Sequence, residues 1–208
     1  MYVRVTATKA DPAKLEEVIT TFRDRVVPAA EQASGLIGVT LQVDREKGLG
    51  AASALWESLV AMNAGEQLAQ QLREETAAAT GAEVLDVDRF EIVLFDAPEQ
   101  PSIPTYTRVA QLYAQPEKLQ ALIDFMKTAA YPRIKEYEGF RSLVAGVNRM
   151  TGRTFAAIGF DSAVARAATE DVGAELRARA AEIAAVSEVR VDYREIVFAK
   201  RVRVPETV

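Results

Sequence analysis

The sequence predicts an α+β fold made of two copies of one strand–helix–strand–strand–helix–strand unit. When residues 2–93 are compared with residues 106–197, a shift of 104 positions without a gap, about 27 of 92 positions are identical, far more than unrelated stretches share. In both copies, stretches with a period of two flank stretches in which apolar residues follow helical spacing. The third observation is a proline-rich separator between the copies. The sequence therefore predicts repeats at 1–96 and 105–202, a linker at 97–104 and a tail at 203–208.

The first repeat begins with a strand and an amphipathic helix. Residues 2–9 alternate between apolar and polar side chains, which is typical of a strand. Asp11 is placed to cap a helix whose first position is Pro12, and Gly35 ends the helical spacing. A bend is expected at Pro28. The expected buried stripe consists of Leu15, Val18, Ile19, Phe22, Val26, Ala29, Ala30 and Ala33.

A hairpin, a second helix and a final strand complete the repeat. Two alternating stretches flank the charged turn 44–48, in which Gly48 is expected at positive φ. Ser58 is placed to cap a helix that runs to about Thr80, and residues 84–95 form the last strand. The expected buried side of the second helix consists of Val60, Ala61, Ala64, Leu68 and Leu72.

The second repeat follows the same order. It predicts a strand at 105–113, a helix at 116–138, a turn at 148–152, a helix at 162–185 and a strand at 189–202. Its first helix carries the stripe Leu119, Leu122, Ile123, Met126, Ala130, Ile134 and Tyr137. The charged run 177–179 is expected to lie on a solvated helix face.

The order of the elements is that of a ferredoxin-like fold, in which both helices cover one face of an antiparallel sheet. The other face would meet water, yet strands such as 155–158 and 195–199 are apolar on both faces. Two sheets that pack face to face would bury these surfaces. We therefore expect a barrel within one chain with the helices outside, and leave further association of two chains open.

Composition narrows the chemistry. The net charge of -5 and the pI near 5.0 do not favour nucleic acid. No apolar run approaches the roughly 18 residues that span a bilayer, and no signal peptide is evident, so no membrane partner and a cytoplasmic location are expected.

The sequence has no cysteine and no histidine, which excludes thiolate, disulfide and histidine chemistry. We expect no metal site and no cofactor.

One short motif carries a family resemblance. Residues 55–62, Leu-Trp-Glu-Ser-Leu-Val-Ala-Met, together with the charged turn before Gly48 and the ending of the first helix from Pro28 to Gly35, resemble the antibiotic biosynthesis monooxygenase family of the dimeric α/β-barrel superfamily. The resemblance covers about 95 residues of each half. It implies that the tandem duplication is a covalent version of the family's dimer, a pseudo-dimer within one chain.

The resemblance also bears on activity. Many members of that family carry a histidine early in the second helix, where this chain has Gly65 and Thr169, so haem degradation is not expected. Cofactor-free members act on polycyclic phenols or quinols that themselves reduce dioxygen, and hold them with Trp, Asn and Arg side chains. By this resemblance Trp56 matches the tryptophan, Asn63 is a candidate for the asparagine, and Phe160 replaces Trp56 in the second repeat.

The candidate ligand-binding residues are Trp56, Asn63, Phe22, Phe160 and Tyr137. Each also has an alternative: Asn63 could lie on a helix surface, and the aromatic side chains could fill the core. No catalytic residue is assigned.

Two charged residues of the first repeat recur in the second. Arg4 and Glu91 return as Arg108 and Glu195. Because the first and last strands of such a unit are antiparallel neighbours, each arginine is expected to pair with the glutamate of its own repeat. The pair would either stabilise the sheet or act on a ligand, with the arginine steering a phenolate and the glutamate as base.

Three functions agree with these patterns. The first is a cofactor-independent oxygenase of a small aromatic, quinol or polyketide-like substrate. The second is a barrel that binds a small hydrophobic or aromatic molecule without turnover, as a stress-response or accessory protein. The third is a structural or assembly role without a ligand.

Overall fold

The computed structural model describes residues 1–203, so the predicted tail lies outside the described residues except for Arg203. The strands are β1 (Tyr2–Lys9), β2 (Leu36–Asp44), β3 (Leu49–Trp56), β4 (Glu83–Asp96), β5 (Thr105–Tyr113), β6 (Phe140–Val147), β7 (Arg153–Phe160) and β8 (Arg190–Arg201). The helices are α1 (Leu15–Thr21), α2 (Val27–Ala30), α3 (Leu59–Ala64), α4 (Glu66–Thr80), α5 (Leu119–Phe125), α6 (Tyr131–Ile134), α7 (Ala163–Ala168) and α8 (Glu170–Ala184).

The strands form one closed antiparallel sheet in the order β1-β3-β2-β8-β5-β7-β6-β4. This order confirms the predicted α+β fold, an eight-stranded α/β barrel in a single chain. Within residues 1–203, no helix is long and apolar enough to cross a membrane.

The chain forms two compact units, and the last strand of each repeat contributes to both. Within the described residues, unit 1 comprises Met1–Arg89, Glu99–Ile103 and Glu195–Arg203, and unit 2 comprises Phe90–Pro98 and Pro104–Arg194. The end of β8 therefore pairs with β2 inside unit 1, and the end of β4 pairs with β6 inside unit 2. We call these two segments the exchanged strand ends.

The first helical segment of each repeat contains a π-type turn, at Phe22–Val26 and at Met126–Ala130. Val27 N–H donates to the carbonyl of Phe22, five residues earlier, and the second repeat has the same bond. A proline follows at position 28 or 132. Because proline lacks an N–H and its ring clashes with the carbonyl four residues earlier, the helix widens before it, where the sequence predicted a bend at Pro28.

The second helix of the first repeat begins as predicted and then divides. Ser58 Oγ accepts the N–H of Ala61 at 3.1 Å, but α3 ends before Gly65 and a new helix starts after it. The break changes the phase of the helix. Val60, predicted to be buried, is consequently 79% exposed, whereas Met62 is fully buried.

Each unit has its own hydrophobic core, and the exchanged strand end belongs to it. In unit 1, Phe198 of β8 packs edge-to-face on Phe22 with ring centroids 5.8 Å apart. In unit 2, Phe90 of β4 packs on Phe155 at 4.9 Å. The predicted turns are also present, and Gly48 has a φ of 66°. These elements place a cavity inside each unit.

Candidate functional site

Unit 1 contains a cavity of about 120 Å³ whose wall is mainly apolar. Phe22 and Val26, the first and last residues of the π-type turn, form part of the wall. Leu68 and Leu72 of α4 contribute as well, so the side of this helix predicted to be buried faces the cavity. A widened helical turn in such a position is a frequent feature of functional sites.

The polar residues of β1 turn towards this cavity. Arg4, Thr6 and Thr8 alternate along the strand and all three line the wall. Ser53 of β3 and Thr76 of α4 add two more hydroxyl groups. The period of two that predicted the strand therefore also marks the residues that give this cavity its polar groups.

Trp56 closes one part of the cavity and depends on a glycine. The indole is 3% exposed and packs against the backbone between α3 and α4. A Cβ atom on Gly65 would lie 2.6 Å from Trp56 Cη2, so only glycine fits beside the ring at its present position. The break in the second helix thus makes room for the tryptophan.

Arg4 is the centre of a charged cluster at the cavity wall. Its guanidinium is 3% exposed, lies 5.6 Å from the centroid of the Trp56 ring, and forms an ion pair of 2.8 Å with Glu66. Glu66 also accepts hydrogen bonds from Arg73 at 2.8 Å and Arg89 at 2.7 Å. Three guanidinium groups therefore surround one carboxylate, and the cluster carries excess positive charge.

Burial and neighbouring charges set the pKa values in this cluster. Burial lowers the pKa of Arg4, which Glu66 opposes. Burial alone would raise the pKa of Glu66, but hydrogen bonds from Arg73 and Arg89 and the charge of Arg4 hold it below its ordinary value. Glu66 is therefore ionised at neutral pH and is a weak proton acceptor.

Several buried N–H groups of the wall residues have no acceptor within residues 1–203. They are Arg4 Nε, Arg73 Nη1 and Trp56 Nε1. A buried donor without an acceptor costs free energy, so such groups are uncommon in folded proteins and call for an explanation. A ligand with oxygen atoms seated against these three side chains would supply the missing acceptors once the side chains turn their buried nitrogen atoms towards the cavity.

Unit 2 repeats the charged cluster at positions 104 residues later. Arg108 is 2% exposed and forms ion pairs with Glu170, which also binds Arg177. Phe160 takes the place of Trp56, and Thr169, in place of Gly65, accepts a hydrogen bond of 3.0 Å from Arg108 through its hydroxyl. A second cavity, of about 80 Å³, adjoins this cluster.

The sequence did not lead us to predict the second arginine of each cluster, Arg73 or Arg177, or the glutamate between the arginines, Glu66 or Glu170. Residues 177–179 were expected to be solvated, yet Arg177 lines the second cavity as Arg73 lines the first. The signal was present, since Glu66 and Arg73 recur as Glu170 and Arg177. Recurrence of charged pairs within the second helix could have identified them.

The predicted ligand-binding residues have different positions in the structure. Trp56 and Phe22 line the cavity of unit 1. Asn63 is exposed on α3 and is not part of the wall. Phe160 is buried with the Arg108 guanidinium over its ring, and it is not part of the wall of the second cavity. Tyr137 is half-buried in the turn after α6, beyond the end of the helix in which it was predicted.

The predicted pairing of Arg4 with Glu91 and of Arg108 with Glu195 is wrong. Glu91 accepts a hydrogen bond of 2.7 Å from Arg149 in unit 2, and Glu195 pairs with Arg45 in unit 1. Both glutamates lie on the exchanged strand ends, which pair with β6 and β2. The position of a strand end in the other unit cannot be read from the order of elements within one repeat.

Within residues 1–203, no three Asp or Glu side chains are grouped so that they could hold a metal ion. The polar groups that line the first cavity are guanidinium, indole and hydroxyl groups. These groups donate hydrogen bonds and favour negative charge.

Comparisons with known proteins agree with this architecture. No protein-family model matches the sequence. The chain is 30% identical over 209 residues to the uncharacterized protein Rv2558 of Mycobacterium tuberculosis (strain H37Rv), and the match covers 100% of this chain and 88% of that protein.

Solved structures with a similar fold include the following two. An anthrone oxidase-like protein matches with a TM-score of 0.68 at 15% identity, over 100% of this chain and 97% of the other. An uncharacterized ferredoxin-fold protein of Listeria monocytogenes, related to antibiotic biosynthesis monooxygenases, matches with a TM-score of 0.55 at 11% identity, over 93% of this chain and 94% of the other. These matches confirm the predicted resemblance at the level of the fold.

Proposed function

The chain belongs to the family of Rv2558, and because that name states no activity, we infer the function from the site itself. We propose that the cavity of unit 1 binds a small quinol-type aromatic molecule as its anion. The bound molecule is then oxidised by dioxygen without a cofactor. The observation that carries the proposal is the set of three buried N–H donors without acceptors on side chains that line a mainly apolar cavity. The ligand is thus apolar in its ring system and carries oxygen atoms at its edge.

The size of the cavity limits the ligand. One water-sized atom takes about 10–15 Å³ of such space. The 120 Å³ beside Trp56 therefore accommodates about 8–12 non-hydrogen atoms, which corresponds to one aromatic ring or two fused rings. Stacking or edge contacts with Trp56 and Phe22 would orient the ring.

The charges favour the deprotonated substrate. Arg4 and Arg73 would lower the pKa of a bound phenol, because positive charge stabilises the phenolate. No carboxylate or lysine is found in the described wall, and Glu66 is a weak proton acceptor, so the phenolic proton leaves to solvent. The electron-rich anion is then the reductant of dioxygen.

The overall reaction balances without a further reductant. A quinol and dioxygen give a hydroxyquinone and water: one oxygen atom enters a ring C–H bond, and the other leaves as water with two hydrogen atoms of the substrate. The quinol supplies all four electrons that dioxygen accepts. The fold shared with an anthrone oxidase-like protein supports this class of chemistry for the chain.

The second candidate function is binding of the same kind of molecule without turnover. The absence of a proton acceptor from the described wall favours it, since the protein then adds only recognition. Such a protein would store or deliver an aromatic compound in a stress response.

One experiment separates these functions. The sequence has a single tryptophan, Trp56, so tryptophan fluorescence reports on the cavity of unit 1 alone. Purified protein in buffer with a chelator is mixed with 1,4-naphthoquinol, and we measure fluorescence, oxygen uptake above the protein-free rate, and the product by mass spectrometry under ¹⁸O₂. We expect saturable quenching and a hydroxynaphthoquinone with one ¹⁸O atom, whereas autoxidation gives naphthoquinone and hydrogen peroxide.

The variants make the test specific to the site. Arg73→Gln should raise the concentration for half-maximal quenching and lower the yield of labelled product at least tenfold, because it removes a charged donor. The control Arg23→Gln changes an exposed arginine outside the wall and should behave as the unchanged protein. Quenching without labelled product would support binding alone, and no quenching would overturn both functions.

A further inference from the structure

We propose that unit 2 contains a second ligand site, which binds a short unbranched monocarboxylic acid. The site does not depend on the oxidation proposed for unit 1, since its wall consists of residues of unit 2. Three observations carry it: the loss of hydroxyl groups from the second cavity, the retention of its two arginines, and its size.

The second cavity lacks the hydroxyl groups of the first. At each position where a hydroxyl residue of β1, β3 or α4 lines the first cavity, the residue 104 positions later is apolar. The pairs are Thr6 and Ala110, Thr8 and Leu112, Ser53 and Ala157, and Thr76 and Ala180. Among the described residues that line the second cavity, Thr154 carries a hydroxyl group. This hydroxyl donates a hydrogen bond of 3.4 Å to the carbonyl of Leu112. A ligand with several oxygen atoms would therefore find few partners along this wall.

The two arginines remain, and each keeps a buried N–H without an acceptor in residues 1–203. These groups are Arg108 Nε and Arg177 Nη1. The other nitrogen atoms of Arg108 bind Thr169, Arg166 and Glu170. Of the two guanidinium groups that line the wall, Glu170 neutralises one, which leaves one positive charge for a single carboxylate. Arg166 lies outside the wall and adds positive charge near Arg108.

The rest of the wall suits a hydrocarbon chain. Leu122, Met126 and Ile134 from the first helical segment and Phe155 from β7 line it. Methionine adapts to irregular apolar ligands because its side chain is unbranched and flexible. By the same estimate as above, 80 Å³ accommodates about 5–8 non-hydrogen atoms, which corresponds to an acid of about three to six carbon atoms.

The test is a calorimetric titration of the full-length protein with hexanoate. We expect one site per chain and a rise in the melting temperature. Hexanol, which lacks the charge, and succinate, which carries a second charge into an apolar wall, should bind at least tenfold more weakly. Because Trp56 lies in unit 1, tryptophan fluorescence should not change.

Matched variants locate the site. Ala180→Leu fills the cavity from α8 and should abolish the heat of binding, whereas Ala178→Leu on the exposed side of the same helix should retain it. Arg177→Gln provides a second test if Ala180→Leu does not fold, and should weaken binding at least tenfold.

Each contrary result overturns the proposal. No heat with hexanoate, equal binding of hexanol, or unchanged binding by Ala180→Leu or Arg177→Gln would show that unit 2 has no such site. The same conclusion would follow if calorimetry gives a single site and its occupation changes the fluorescence of Trp56. Failure here leaves the naphthoquinol experiment unaffected, because the two ligands are followed by different signals.

Discussion

At the scale of single residues, one pair of positions distinguishes the two cavities. Where the first repeat has Trp56 beside Gly65, the second has Phe160 beside Thr169. The larger ring requires the glycine, since a Cβ atom would lie 2.6 Å from its Cη2. The smaller ring leaves space for a threonine, whose hydroxyl then occupies a donor of Arg108.

This coupling predicts that Gly65→Ala destabilises the protein by about 1–3 kcal/mol, the usual cost of overpacking. The same change made in a Trp56→Phe background should cost less, because phenylalanine does not reach the new methyl group. Urea unfolding of the two single variants and the double variant gives the interaction free energy. Additive effects would show that ring and glycine are independent.

The Glu66 carboxylate predicts a pH dependence of stability. Its pKa in the folded protein is lowered, so its stabilising effect is complete above the pKa of the unfolded chain and is lost as the pH falls through the folded value. Glu66→Gln should therefore melt well below the unchanged protein at pH 7, since Arg4 and Arg73 lose their counter-charge. The two melting temperatures should begin to approach each other near the ordinary glutamate pKa of about 4.3 and should meet only below the lowered pKa of the folded protein.

The control for this prediction is Glu74→Gln, which changes an exposed carboxylate of the same helix that is bound to Gln70 rather than to an arginine. Its melting temperature should follow that of the unchanged protein at every pH. A constant difference between Glu66→Gln and the unchanged protein from pH 7 to pH 3 would contradict the assigned role of the carboxylate.

At the scale of elements, the π-type turn relieves the conflict between Pro28 and the helix. Residues 22–26 contain one residue more than a regular helix would need, and Arg25 among them is exposed. The turn also places Phe22 and Val26 at the cavity wall. Sequence spacing alone cannot show it, because an α-helix and a helix with one wide turn have nearly the same apolar period.

Deleting Arg25 should therefore return the clash with Pro28 and destabilise the protein by about 3 kcal/mol. Adding Pro28→Ala to the deletion should recover most of that loss, because alanine fits a regular helix. Urea unfolding measures both. If the deletion alone is harmless, the proline does not cause the wide turn.

Other elements show which features the sequence could predict. Strands and capped helix starts follow from local rules, and β1, β5 and the Ser58 cap have the predicted places. The partners of Glu91 and Glu195 depend on which strands become neighbours, which is a long-range property. The site was predicted in part for the same reason: Trp56 has a motif, whereas the Arg4 cluster forms only when β1 meets the second helix.

At the scale of the whole molecule, the exchange of strand ends makes each repeat incomplete. The core of unit 1 includes Val197 and Phe198 from the second repeat, and the core of unit 2 includes Val93 and Leu94 from the first. The pairs Arg45 with Glu195 and Arg149 with Glu91 join the same segments, but as half-exposed ion pairs they contribute little. Most of the free energy of unfolding that the exchanged strand ends contribute thus comes from their apolar residues rather than from their ion pairs.

This composition predicts the behaviour of the separate repeats. A fragment of residues 1–96 lacks the strand that pairs with β2, and its own residues 90–96 have no β6 to pair with. Unpaired strand edges and apolar side chains favour association, so the fragment should form a dimer in which each copy supplies residues 90–96 to the other. Co-expression with residues 105–203 should instead give a one-to-one complex that melts near the full chain. Light scattering after size-exclusion chromatography measures both states, and a stable folded monomer of residues 1–96 would show that the exchanged strand end is not required.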